Sequence, residues 1–225
     1  MTCDTSIATT EFSTARTKLS LAGIKVFGVT GPMCGGKSVW MNAIEDAAGS
    51  RAKVIRMDDF AKHILYDVHL LETMQILGFD PWIIKGGKLT LDTKRISAEW
   101  FANKEMKATL DAYARDKIYH SLLAELEQSS KPFVFIENAQ LYQSGYSELC
   151  EAIVFVTADD AVLLSRGEGR GFTKNEVGER LKLQDWENVQ TLMSARPTRV
   201  LNTTTTAKGE TEEDARLFWE DLMVS

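Results

Sequence analysis

Gly28–Val29–Thr30–Gly31–Pro32–Met33–Cys34–Gly35–Gly36–Lys37–Ser38 decides the fold. From Gly31 to Ser38 it fits GxxxxGK[ST], the P-loop, and each part of that pattern has a physical reason. The glycines let the backbone curl until its N–H groups face a phosphate, and the helix that follows presents its positive N-terminal end there. Lys37 is placed to meet the β- and γ-phosphates of a nucleoside triphosphate, and the Ser38 hydroxyl to ligate Mg2+. Gly31, Cys34, Gly35, Gly36, Lys37, Ser38 and Val39 form the candidate nucleotide-binding set. Cys34 fills space in this reading, because backbone amides do the work of the loop.

Working outward, Ile24–Thr30 is a β-rich run that stops at the turn signal Gly31–Pro32 and reads as a buried first strand. After the loop, Val39, Trp40, Ala43, Ile44 and Ala47 recur at helical spacing until Gly49–Ser50 ends the run. Lys53–Met57, Pro132–Glu137, Ala152–Val156 and Arg199–Thr203 supply four further strands, separated mostly by helical segments. That order predicts an α/β fold of three layers, a P-loop arrangement with a five-stranded parallel sheet covered on both faces. The roughly seventy residues between the second and third strands exceed a plain crossover. They predict a helical insertion over about 63–128, whose last part, Asn103–Gln128, is a long helix carrying Met106, Leu110, Tyr113, Ile118, Leu122, Leu123 and Leu126.

Composition bounds the function. The 225 residues carry a net charge of −6, with 44% hydrophobic and 26% charged residues, which excludes a disordered or fibrous chain. An acidic chain argues against broad nucleic-acid binding, so any anionic ligand must be met locally. Cys3, Cys34 and Cys150 form no metal-ligand pattern and point to a reducing, cytoplasmic setting. The longest apolar stretches are strand-sized, far below the roughly 18 residues of a membrane span. Nine Ser or Thr among the first twenty residues, with Asp4 and Glu11, predict a disordered leader over 1–23 ahead of a folded domain over 24–225.

Ligands of open α/β sheets bind at the carboxyl ends of the strands. Two carboxylates stand there. Asp58 follows the second strand, as a phosphoryl-transfer carboxylate or as a helix N-cap ahead of Phe60, and Glu137 ends the third, as a residue holding Mg2+ directly or through water. Downstream, Arg166–Gly167–Glu168–Gly169–Arg170–Gly171 joins two guanidinium groups to three glycines, the composition of a mobile lid over about 166–178 or of a solvated surface loop.

Together these residues resemble the dephospho-CoA kinases, within the P-loop nucleoside monophosphate kinase group. The P-loop and its strand are similar to that family's opening, and Val54–Lys62 to its second-strand segment, whose acid, the proposed base, matches Asp58. Gly87–Lys88–Leu89 with Asp92, then Trp100–Phe101, look like its central stretch, while Arg166, Arg170, Arg180 and Gln184 keep its lid spacing. Several positions depart. Glu137 stands for Asp, Ala139–Gln140 for Pro-Leu, Gln143 for Glu, Thr93 for Arg and Arg115–Asp116 for His-Pro, and the asparagine at the end of the fifth strand is Asn202 out of register or Thr203.

The resemblance implies a P-loop kinase domain over 24–225 with an acceptor-binding helical insertion over about 63–128, an ATP-dependent kinase that phosphorylates the 3′-hydroxyl of dephospho-CoA. Lys37, Asp58, Arg166 and Arg170 would be its catalytic residues, ATP and Mg2+ its cofactors, and Ser38 and Glu137 the metal ligands. The partner is a small nucleotide-like acceptor, with no nucleic acid and no membrane, and the chain would act as a monomer or small homo-oligomer. A nucleoside or deoxynucleoside monophosphate kinase on the same fold is the alternative, and a nucleotide-binding regulator without turnover a further one. A GTP switch is disfavoured because its Asn-Lys-x-Asp motif is missing; Lys174–Asn175–Glu176 has the wrong order.

Overall fold

The computed structural model describes residues 5–182, 186–194 and 196–224. At its centre β1 (Lys25–Thr30) is buried from Val26 onward and pairs in parallel with β5 (Phe133–Glu137) on one side and β6 (Ala152–Thr157) on the other. β2 (Ala52–Arg56) adds beside β5, and β7 (Thr198–Asn202) beside β6. Among the described residues this gives a five-stranded parallel sheet in the order β2-β5-β1-β6-β7, with the P-loop, Glu137 and Thr203 at its carboxyl edge. Strands hidden on both faces read as continuous apolar runs rather than as alternation, as Val134–Phe135–Ile136 and Ile153–Val154–Phe155–Val156 do.

One face of the sheet carries an aromatic core. Phe27 stacks on Phe135 at 5.3 Å between centroids, and Trp40 of α2 (Lys37–Ala48) meets Phe218 of α10 (Lys208–Val224) edge-on at 5.4 Å. Offset and edge-on pairs each contribute about 0.5–1.5 kcal/mol beyond the area they bury. The Trp40 indole N–H donates to Asp214 Oδ1 at 2.9 Å, and Asp214 also pairs with Arg199. This polar clasp satisfies the indole and ties the helix after the P-loop to β7 and α10.

The chain divides into two compact units, Met1–Arg56 with Leu126–Ser225, and Met57–Glu125. The second contains α3 (Met57–Ile64), α4 (Val68–Ile76), a hairpin of β3 (Trp82–Lys85) and β4 (Lys88–Leu91), α5 (Thr93–Ala102) and most of α6 (Lys104–Glu127). Leu70, Met74, Ile96, Met106 and Leu110 form its core, each at most 1% exposed. The hairpin corrects the expectation of a purely helical insertion. Gly86 and Gly87 have φ +59° and +76°, the consecutive positive values that a two-residue hairpin turn requires. In the first unit, α7 (Asp160–Glu168), α8 (Lys174–Lys182) and α9 (Trp186–Met193) lie between β6 and β7. Among the described residues no helix is long and apolar enough to cross a membrane.

The predicted disordered leader is also corrected. Thr5–Leu21 is a helix, α1, that stops at Gly23 in the left-handed region, φ +75°. Phe12, Ala15 and Leu19, spaced by three and four, are buried on its inner stripe, and Phe12 meets the Tyr146 ring edge-on at 5.5 Å. Ser and Thr on the other faces disguise the stripe as low-complexity sequence. Phe12→Ala should therefore lower stability by about 3 kcal/mol, the usual cost of deleting a buried phenylalanine. Urea denaturation checks this, and an unchanged midpoint would return the segment to a passive leader.

Candidate active site

The P-loop is built by close approach. A Cβ on Gly31, whose φ is +134°, would lie 2.0 Å from the Val156 carbonyl oxygen, and one on Gly35 would lie 2.7 Å from the same atom. Only glycine lets the loop wrap so tightly over the end of β6. Cys34 has φ +64°, the one positive value outside glycine among the described residues. A side chain there costs roughly 1–2 kcal/mol of backbone strain. The thiol offsets part of it by packing with Ala158 and Leu163, the latter on α7. Gly36, φ +107°, then turns the chain into α2.

Lys37 is 9% exposed, and its Nζ donates to the carbonyls of Gly31, at 3.0 Å, and Pro32, at 2.9 Å. A buried ammonium needs such partners, because an unpaired charge out of water costs far more than a neutral polar group. Ser38, on the first turn of α2, is exposed, and its hydroxyl faces Glu137 Oε1 at 3.5 Å. Two hard oxygen donors side by side are the chemistry Mg2+ takes from a protein. The Val39 N–H donates to the Gly36 carbonyl at 3.0 Å.

Arg166 departs from the expected lid. It lies in the last turn of α7, half-buried, where Nη1 donates to the Cys34 carbonyl at 3.3 Å and to Thr203 Oγ1 at 2.9 Å, and Nη2 to the Thr203 carbonyl at 2.8 Å. The glycines around it are not hinges. A Cβ on Gly167 would sit 2.4 Å from Val177 Cγ2, so this residue is a spacer that lets α8 pack on α7, and Gly169 keeps right-handed helical geometry. Gly171, φ +87°, alone of the three needs glycine's conformational freedom. Arg170 lies beyond the helix end and is exposed, while the Arg180 guanidinium stacks over Phe172 at 4.8 Å. Gln184 lies outside the described residues.

Asp58 belongs to the second unit. It sits within the first turn of α3, directly after β2, exposed and beside the Asp59–Lys62 ion pair of 2.8 Å. That placement is past the N-cap, where its charge still favours the helix dipole. The same unit holds an open cavity of about 240 Å3 between the end of α3 and α6, lined by Phe60, His63, Tyr66, Asp67, Lys117 and Ser121 among others. Asp67 caps α4 and accepts from the Tyr113 hydroxyl at 2.6 Å, which holds its carboxyl below the usual range. Burial, and then this bond, push the Tyr113 phenol up.

Thr203 was not among the site residues expected from the sequence, where it figured only as the end of the fifth strand and one of two matches to an expected asparagine. It is 1% exposed and lies against the loop, whereas Asn202 is exposed and its Oδ1 accepts from the Thr204 N–H at 2.9 Å.

Comparison with known proteins agrees with this geometry. The sequence profile of the dephospho-CoA kinase family matches residues 25–205. The dephospho-CoA kinase of Chlorobium luteolum is 27% identical over 198 residues, covering 85% of this chain and 88% of that protein. That of Campylobacter jejuni is 30% identical over 177 residues, covering 71% and 85%. A crystal structure from Thermus thermophilus superposes with a TM-score of 0.68 at 24% identity, covering 89% of this chain and 97% of its own. A dephospho-CoA kinase structure from Campylobacter jejuni does so at 0.62 and 21%, covering 88% and 96%, and both show the same fold. The profile takes in every strand of the sheet and the whole of the second unit, and this chain belongs to the dephospho-CoA kinase family.

Proposed function

We propose that this chain transfers the γ-phosphoryl group of ATP to the 3′-hydroxyl of the ribose of dephospho-CoA. The observation that carries the reading is the carboxyl edge of the sheet: a glycine loop closed on Val156 with the buried ammonium of Lys37 inside it, in a chain of this family. ATP is the phosphoryl donor the family implies. The acceptor hydroxyl oxygen bonds to the γ-phosphorus as the bond to the β,γ-bridging oxygen breaks, and ADP departs with that electron pair. The hydroxyl proton passes to the Asp58 carboxylate and from there to solvent. Lys37 exchanges carbonyl oxygens for phosphate oxygens and follows the charge that moves onto ADP. The Ser38 hydroxyl and Glu137 carboxylate would hold Mg2+, which neutralises β- and γ-phosphate charge when bound. Arg166 stays behind the loop, while Arg170, exposed past the helix, is the arginine able to approach the transferring group. The aromatic and cationic walls of the cavity in the second unit suit a nucleotide-like acceptor.

Three outcomes test this. Lys37→Ala should lower kcat by at least about a hundredfold at saturating acceptor with the circular dichroism spectrum unchanged; more than about a tenth of wild-type kcat would sink the assignment. Arg166→Ala and Arg170→Ala should both lower kcat, but only the first should lower Tm, by roughly 4 °C or more, because only Arg166 holds structural carbonyls. Equal shifts in a thermal melt would contradict the division.

Asp58→Asn keeps the shape and removes the charge. A ribose hydroxyl is a poor nucleophile at neutral pH, so with dephospho-CoA kcat should fall by at least about a hundredfold while affinity for Mg2+-free ATP is unchanged. A phosphate acceptor is already anionic, and a fall below about tenfold would favour the monophosphate-kinase alternative.

A further inference from the structure

The run Thr203–Thr204–Thr205–Thr206 looks like featureless linker, yet its first two residues clamp the nucleotide loop and α7. Thr203 Oγ1 lies 2.9 Å from the Gly35 carbonyl oxygen, 3.0 Å from that of Thr157, and 2.9 Å from Arg166 Nη1. A hydroxyl has one proton and two lone pairs. Arg166 has no acceptor and must use a lone pair. The single proton is then directed between the carbonyls of Gly35 and Thr157; Thr157 also accepts from the Thr203 N–H at 2.7 Å, whereas the hydroxyl is the contact from β7 that reaches Gly35. One residue on, Thr204 Oγ1 accepts from the N–H of Asp159, the N-cap of α7, at 2.7 Å. The end of β7 therefore grips α7 at both ends, through Asp159 and Arg166.

We propose that Thr203 is a positioning residue for the triphosphate: its hydroxyl fixes the Gly35–Gly36 peptide, and with its own carbonyl it seats Arg166 behind the loop. The peptide is planar and trans, so a carbonyl held outward on Thr203 turns the Gly36 N–H to the opposite side, into the loop. The Arg166 bond to the Cys34 carbonyl fixes the preceding peptide in the same way. Gly36 lacks a side chain and, at φ +107°, could rotate that peptide freely, so something outside the loop must set it. The Thr203 methyl also packs close, 3.6 Å from where a Gly36 Cβ would stand. The proposal rests on the reading that this loop binds ATP and is independent of the acceptor.

Direct titration of the full chain with ATP, without acceptor, tests it in three variants. Thr203→Ser keeps the hydroxyl and should bind ATP within about twofold of wild type, while Thr203→Val and Thr203→Ala should bind at least about tenfold more weakly, the worth of one buried hydrogen bond. In turnover the KM for ATP should rise in the last two with the KM for acceptor unchanged. Wild-type affinity in folded Thr203→Val, or equal weakening in Thr203→Ser, would overturn the proposal, the latter by assigning the effect to the methyl group. Loss of fold in both Val and Ala variants, with Ser normal, would make the hydroxyl a structural group and overturn it as well. Since no acceptor is present, absence of dephospho-CoA phosphorylation leaves the result readable.

Discussion

The close seat of Gly31 and Gly35 against the Val156 carbonyl is the constraint on which the rest depends. A loop whose backbone presses on a strand end cannot drift, and everything that must meet the triphosphate is referred to that strand end. The sheet supplies the rigidity: β6 is hydrogen-bonded to β1 and β7, and its residues Ile153–Val156 are almost wholly buried. The aromatic core does the same for α2, so that Lys37 and Ser38 sit at the start of a helix fixed by Trp40 and the Asp214 clasp. Preorganised donors avoid reorganisation at the moment of transfer, which is where electrostatic catalysis draws its advantage.

The loop is held from behind by its carbonyls. From behind, Arg166 takes that of Cys34 and Thr203 that of Gly35, while Lys37, inside the loop, takes those of Gly31 and Pro32. Because carbonyl and N–H point opposite ways across each peptide, an outward set of acceptors is also an inward set of donors. The bonds from Lys37 and Arg166, cation to neutral acceptor, contribute about 1.5–3 kcal/mol each, and the neutral one from Thr203 about 1 kcal/mol. That is enough to order the loop, yet weaker than what a phosphate offers the same ammonium at close range in a dry site. An acidic chain of net charge −6 can therefore keep its cationic centre local and engaged until an anion arrives.

What could be read in the sequence follows from how many jobs a residue type can do. GxxxxGK[ST] between strand and helix was legible because phosphate binding prescribes both glycine and its spacing, and the three central strands were legible as apolar runs, whereas the edge strands β2 and β7 mix in Lys, Arg, Thr and Asn. α1 was obscured because nine Ser and Thr outweigh three buried residues in any composition argument, although Phe12, Ala15 and Leu19 carry the helical period. The glycines around Arg166 left two readings open because glycine serves hinges, turns and close packing alike, and Gly167 serves the last against Val177. Thr203 gave almost no signal, since a threonine after a strand is ordinary, and its importance lies in three partners distant in sequence.

The acceptor side shows how a departure from the family's pattern can matter through backbone rather than chemistry. Where the resemblance to the family implies a His-Pro pair, this chain has Arg115–Asp116, both exposed, in the middle of the 24-residue helix α6. A proline there would remove the N–H that bonds to residue 112 and push its ring against that carbonyl, kinking the helix. Without it α6 runs uninterrupted from Lys104 to Glu127. The side chains after position 116 then keep straight-helix phase, and it is these, Lys117, Ile118 and Ser121, that line the cavity with Phe60 and His63 of α3. Lys117 and Ser121, four residues apart, share one face of that uninterrupted helix, and it is this face that the cavity receives.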